Sequence, residues 1–146
     1  WGGIAKDGAK LVNAVSNTVV PKITLVIGGS YGAGNYALSG RAFNSRFMYA
    51  WPSAKIAVMG GDSAAKTLMQ IKLAKMKNVD KKAKDELLVE IKGKYEEQSD
   101  VKYAAARMWV DEIIMPNETR GVLIETLKFI NYQTKKVEPK FGVLQV

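Results

Sequence analysis

Histidine and cysteine are both absent from this chain of 146 residues. Without cysteine there is neither a disulfide nor a thiolate metal site, and without histidine the commonest imidazole ligand and the commonest catalytic base are missing together. Zinc chemistry is excluded, and no metal site is expected. A long apolar run is also lacking: none approaches the roughly 20 residues that span a bilayer. The opening WGGIAKDGAK does not have the charged-then-apolar order of a secretory leader. A soluble protein of the cytoplasm or an organelle is expected, with no membrane partner. Arginines stand only at positions 41, 46, 107 and 120, without clustering.

What is present is enough apolar material for a core, at 47% of residues, and a net charge of +8. Clustered cations gain affinity for phosphate by counterion release, so the charge raises the question of nucleic acid. Its distribution answers against one. Much of the excess lies between Lys66 and Lys94, where lysines alternate with apolar residues at helical spacing and acids return in the second half. That is the pattern of a solvated helix face. Asn117 of the NET triplet is expected to cap the helix that follows. The first residue is Trp1, and the helical pattern Ile4, Leu11, Val15 begins almost at once, as though the chain were cut from something longer.

The pattern predicts a helix from Ile4 to about Ser16 and a buried strand Ile23 to Ile27, then a glycine turn and a short helix from Gly32 to about Leu38. RFMYAW and KIAVMG are expected to form two strands separated by a turn at PSA. From Asp62 the period becomes helical, with Ala65, Met69, Leu73 and Met76 on one face and Leu87, Ile91 and Tyr95 on the next. A third helix is expected over Val101 to Trp109, a brief extended link at EIIMP, and a last helix striped by Leu123, Leu127 and Ile130. The tail KFGVLQV is short and apolar. The order makes this an α/β chain with a helical extension whose apolar faces outnumber what a small sheet can cover, so self-association is expected.

The densest local signal is IGGSYGAGNYAL. Residues 28–32 match G-x-S-x-G in a strand–turn–helix setting, the arrangement that lifts a hydrolase serine onto an elbow. Ser30 would need a base to take its proton, and the chain has no histidine to serve. Gly29 and Gly34 have the spacing of a phosphate loop, but Asn35 stands where lysine is required, and the dinucleotide fingerprint finds no clean register. Two explanations of the glycines remain. They let helix and strand pack closely, or they build an anion or oxyanion site from backbone amides. Glycines permit positive φ and close approach, and the first amides of the following helix have no intrahelical acceptor and sit at the positive end of its dipole.

GGSYGAGNY and WPSAKIAVMGG together, then YAAARMWVDEIIMPNETR and the closing FGVLQV, closely resemble the C-terminal part of the carboxyltransferase (beta) subunits of methylcrotonyl-CoA carboxylase and related biotin-dependent acyl-CoA carboxylases. The resemblance covers nearly the whole chain, least in the lysine-rich helices. It implies a crotonase-like fold, present here as a partial domain with a C-terminal helical extension. Residues 1–146 would be the C-terminal, biotin-side carboxyltransferase domain, truncated at its N-terminal end. The cofactor implied is biotin, arriving as carboxybiotin on a biotin carboxylase or biotin carrier subunit or domain. The other partners implied are the N-terminal carboxyltransferase half that holds the acyl-CoA substrate, such as 3-methylcrotonyl-CoA, and further copies in a homo-oligomer. In a eukaryote the compartment would be the mitochondrial matrix.

By the same resemblance, the amides of Ala33 and Gly34 would stabilise negative charge on the ureido oxygen of biotin. Gly29 and Gly32 would shape the turn, and Asn35 and Tyr36 would line the pocket beyond it. No side-chain base is then required, which suits a chain without histidine. An assembly role without chemistry of its own is the alternative, and a serine hydrolase acting through Ser30 is a further one. The family pattern often has a glycine where Glu112 stands and an acid where Met115 stands, so the link there is expected to pack differently.

Overall fold

A computed structural model describes residues 2–74, 80–132 and 138. Its elements are α1 (Ile4–Asn17), β1 (Ile23–Val26), β2 (Gly29–Tyr31), α2 (Gly32–Ala37), β3 (Phe47–Ala50), β4 (Lys55–Ala57), α3 (Gly61–Ala74), α4 (Lys81–Ser99), α5 (Val101–Ala106), β5 (Glu112–Ile113) and α6 (Thr119–Asn131), with a single 3₁₀ turn at Arg41–Phe43. Among the described residues the named strands all pair in parallel, and one isolated antiparallel bridge joins Lys55 to Asp100. One sheet has the order β1-β3-β5 and the other pairs β2 with β4. Parallel neighbours need crossovers, and helices supply them: α2 between β1 and β3 and between β2 and β4, α3 to α5 between β3 and β5.

The two sheets are continuous in sequence at Ile27–Gly28, where β1 bends into β2. Trp51 N–H donates to Val26 O at 2.9 Å on one side of the bend and Lys55 N–H to Gly28 O at 3.1 Å on the other. The residues between β3 and β4 thus follow the bend, and the chain changes sheet twice in step. Val26, Met48, Ala50, Ala54, Ile56, Val101, Ala104 and Val110 form the core where both sheets meet α5. Met48 and Val101 are fully buried, each worth about 1.5–3 kcal/mol on transfer from water.

Several expectations from the sequence need correction. The glycine segment is only partly a turn, since Gly29–Tyr31 is an extended strand whose Ser30 pairs with Ile56. EIIMP contributes a strand: Glu112 and Ile113 add to the edge of β3. The helix expected to reach Trp109 stops at Ala106 because Met108 takes a left-handed conformation (φ 57°), and Trp109 N–H closes back on Ala104 O at 2.9 Å. Asn117 is not the cap of α6. Glu118 holds that position, and its carboxylate accepts from Met115 N–H at 2.9 Å instead of capping the helix.

The apolar stripes of α3 and α4 find more cover than expected, and those of α1 and α6 do not. α3 packs along α4, burying Ala64, Ala65 and Ile91, so the Leu87–Ile91–Tyr95 face is no free docking surface. On α6 the residue turned inward is Thr126, hydrogen-bonded to buried Tyr49, whereas Leu127 is exposed. α1 keeps Ile4 and Leu11 exposed. Met76 and the KFGVLQV tail lie outside the described residues. The lysines of α3 and α4 from Lys66 to Lys94 are exposed wherever their side chains are described. No helix among the described residues is long and apolar enough to cross a membrane.

Candidate functional site

The site predicted from sequence sits where β2 turns into α2. Of the glycines there, only Gly32 has positive φ, at 52°. A β-carbon on it would come 2.9 Å from Val58 O in the loop after β4. Gly29 is extended, and its role is different: a β-carbon would fall 2.5 Å from the Tyr31 ring, which folds back over it. Gly34 has nothing within 4 Å of where a β-carbon would stand. Its small size therefore leaves open space at the surface, and packing does not demand it.

α2 has no side-chain N-cap: Tyr31 occupies that position in an extended conformation and cannot accept from the amides behind it. The N–H groups of the first turn, Ala33 and Gly34 among them, thus have neither an intrahelical acceptor nor a capping oxygen. Both residues are exposed. The other end of α2 is fully tied. Ser39 N–H donates to Tyr36 O at 3.1 Å and Gly40 N–H to Asn35 O at 2.8 Å, with Ser39 left-handed (φ 61°), a helix stop of the Schellman type. Thr24 Oγ1 in β1 donates to Ser39 O at 2.7 Å and anchors that stop to the sheet. A short helix is thereby fixed at its end and left open at its start.

Two cavities flank it. The larger, about 540 Å³, is bordered by Gly32, Asn35 and Tyr36 on one side and by Arg41, Tyr95, Tyr103 and Trp109 among others. The smaller, about 220 Å³, runs along β1 and includes Gly29, Ser30, Gly34 and Asn35. The structure thus splits the predicted set: Gly34 and Tyr36 face different cavities, Asn35 borders both, and Ala33 lies on the exposed turn between them. Among the described residues no acidic side chain lines either space. Arg41 is held in the wall of the larger one by Asp111, whose carboxylate oxygens are 3.1 and 3.3 Å from the guanidinium. Asp111 also accepts from Met48 N–H at 2.7 Å, which ties this wall to the central strand.

Sequence reasoning missed Arg41, Tyr95, Tyr103 and Trp109 as cavity walls. Tyr95 had read as one member of an apolar stripe, and nothing in a single sequence brings position 41 to position 109. Ser30 gains no support as a nucleophile, for among the described residues no side chain hydrogen-bonds its hydroxyl. No group of three Asp, Glu, His or Cys residues that could hold a metal occurs among the described residues.

A family model, the carboxyl transferase domain, matches residues 1–144. The chain belongs to the carboxyl transferase domain family. It is 44% identical, over 99% of its length, to the mitochondrial methylcrotonoyl-CoA carboxylase beta chain of Dictyostelium discoideum, and spans 25% of that protein. Over 84% of its length it is 45% identical to the biotin-dependent 3-methylcrotonyl-coenzyme A carboxylase beta1 subunit of Mycobacterium tuberculosis, 24% of which it covers. Among solved structures, the beta subunit of geranyl-CoA carboxylase from P. aeruginosa superposes with a TM-score of 0.79 at 39% identity, over 97% of this chain and 27% of that one. The transcarboxylase 12S subunit, solved as a hexamer with hydrolysed methylmalonyl-coenzyme A bound, gives 0.81 at 33%, over 99% and 27%. The fold is therefore the crotonase-like α/β fold of carboxyltransferase beta subunits, of which this chain spans about a quarter.

Proposed function

We propose that residues 1–146 form the biotin-facing, C-terminal part of an acyl-CoA carboxyltransferase, with the start of α2 as its oxyanion site. The observation that carries this is the uncapped, exposed first turn of α2, beside space a β-carbon on Gly34 would enter, in a chain matched to carboxyl transferase domains along its length. The donor set fits biotin: neutral backbone amides, no acid in either cavity wall among the described residues, and the positive end of a helix. Carboxybiotin, carried on a partner subunit or domain, would supply the carboxyl group, and its ureido oxygen would be the atom that needs hydrogen-bond donors.

This chain's part is to hold that oxygen. The N–H groups of Ala33 and Gly34 are fixed before the reaction, so they stabilise developing charge without reorganising. Gly32 turns the backbone so that α2 begins where it does. Asn35 and Tyr36 shape the cavity behind the donors, and Gly29 lets Tyr31 lie flat against β2. The acyl-CoA, of which 3-methylcrotonyl-CoA is the example nearest the relatives, would be held by an N-terminal half of the same subunit and reached in a homo-oligomer. The carrier would be a biotin carboxylase or biotin carrier subunit, and the compartment in a eukaryote the mitochondrial matrix. Held this way, the chain alone turns over nothing.

An amide-to-ester replacement that deletes the Gly34 N–H, made in the complete subunit, tests the site. Loss of one oxyanion donor costs about a hundredfold to a thousandfold in rate, whereas Ser30→Ala should keep most of the carboxylation of 3-methylcrotonyl-CoA. Full activity of the ester together with an inactive Ser30→Ala would defeat the backbone-amide site and reopen the elbow serine.

A further inference from the structure

The loop that presses on Gly32 is itself held from a distance by one hydroxyl. Met59 N–H donates to Tyr95 Oη at 3.1 Å, and the Tyr95 hydroxyl donates to Met59 O at 2.5 Å. Both polar groups of one residue in the loop after β4 are thus taken by a single side chain on α4. The neighbouring carbonyl, Val58 O, is the atom that leaves no room for a β-carbon on Gly32. Lys92, one turn earlier on α4, pairs with Asp62 at 2.9 Å and fixes the far end of the same segment, where α3 begins. The ring of Tyr95 stands 3.9 Å from where a β-carbon on Gly61 would fall, and it borders the larger cavity. A bend of two or three residues with no ladder of its own otherwise has little to hold it.

We propose that Tyr95 is a positioning residue: its hydroxyl latches residues 58–60 against Gly32 and so fixes the turn from which the α2 amides are presented. The inference rests on the oxyanion function proposed for those amides, while the latch itself is a matter of geometry. A hydroxyl that both donates and accepts sets the loop in two directions at once, and a phenyl ring of the same size sets it in neither. Tyr95 touches no reacting atom. It acts through Met59, Val58 and Gly32, in that order.

Tyr95→Phe keeps the ring packing and deletes only the hydroxyl, so it should fold. In the complete subunit, amide hydrogen exchange followed by mass spectrometry should accelerate in segments covering 58–60 and 32–36, with β3 unchanged. Carboxylation of 3-methylcrotonyl-CoA should lose about threefold to tenfold in kcat, the worth of a net hydrogen bond or two, with KM for the acyl-CoA unaltered. Lys94→Ala, on the neighbouring surface of α4, should change neither. Unaltered exchange and kcat in Tyr95→Phe, an equal rise in exchange across β3, or an equal effect from Lys94→Ala would each overturn the latch. The Gly34 ester separates the two proposals: an impaired ester beside an unaffected Tyr95→Phe removes only the latch, and a fully active ester removes the oxyanion function that gives the latch its role.

Discussion

Val58 O stands 2.9 Å from the point where Gly32 would carry a β-carbon, and Gly32 has the only positive φ in the segment 28–34. Gly32→Ala therefore meets two penalties at one position. The left-handed backbone alone costs about 1–2 kcal/mol for a residue with a side chain, and Val58 must move as well. A lower urea midpoint with an unchanged denaturant slope is expected, together with reduced carboxyl transfer when the variant is made in the complete subunit. A variant as stable and as active as the parent would show that the turn does not depend on this contact.

Gly34 presents the opposite case, because a methyl there meets nothing within 4 Å and no positive φ stands in the way. Gly34→Ala should fold normally and gain up to about 1 kcal/mol from helix propensity. The same methyl would intrude on the space beside the proposed donors, so carboxyl transfer by the complete subunit should fall by about tenfold or more, the scale on which one carbon alters a fitted pocket. Steady-state kinetics beside thermal unfolding checks both parts, and full activity in a normally folded variant would place the ligand elsewhere.

Tyr49 and Thr126 join β3 to α6 through buried hydroxyls 2.7 Å apart, and Thr126 Oγ1 donates onward to Val122 O. Tyr49 is thus the donor of the pair. Thr126→Val leaves the Tyr49 hydroxyl buried without an acceptor, at about 1–3 kcal/mol, whereas Tyr49→Phe removes a donor and leaves Thr126 bonded to its own helix, at about 1 kcal/mol. Unfolding of the two variants should rank in that order. The reverse order would mean that the donor assignment is wrong.

The pH dependence of stability should be flat near neutrality. Lys92 bonds Asp62 and holds its carboxyl below the ordinary 3.8, so this contribution is present above that value and is lost as pH falls through the lower folded pKa. Asp62 in turn raises Lys92 above the ordinary 10.5, and that contribution is present below 10.5 and lost as pH rises through the higher folded pKa. Lys94 does the same to Glu90, and is itself raised by it. With no histidine in the chain, no side chain has an ordinary value between about pH 5 and 8. Unfolding midpoints measured across that range should coincide, and a step within it would reveal a displaced titration that these pairs do not supply.

Much of this was legible in the sequence because it is local. The strand–glycine–helix order, the β-branched run of β1 and the helical periods of α3, α4 and α6 follow from neighbours within a few residues, and the absence of histidine and cysteine removed whole classes of chemistry without reference to any fold. Which glycine needs its freedom was not local. Gly29, Gly32 and Gly34 look alike in a row, and they differ only through Tyr31 over the first, Val58 O against the second and open space at the third. One helix end was misjudged, where Met108 takes a left-handed conformation that a sequence normally announces with glycine. Tyr95 shows the limit most plainly. Its spacing put it in an apolar stripe, and periodicity cannot see a hydroxyl that reaches 36 residues back to hold Met59. Composition and period determined the elements and what chemistry was impossible; only tertiary contact, where distant backbone atoms meet at van der Waals range, decided which of those residues must be what they are.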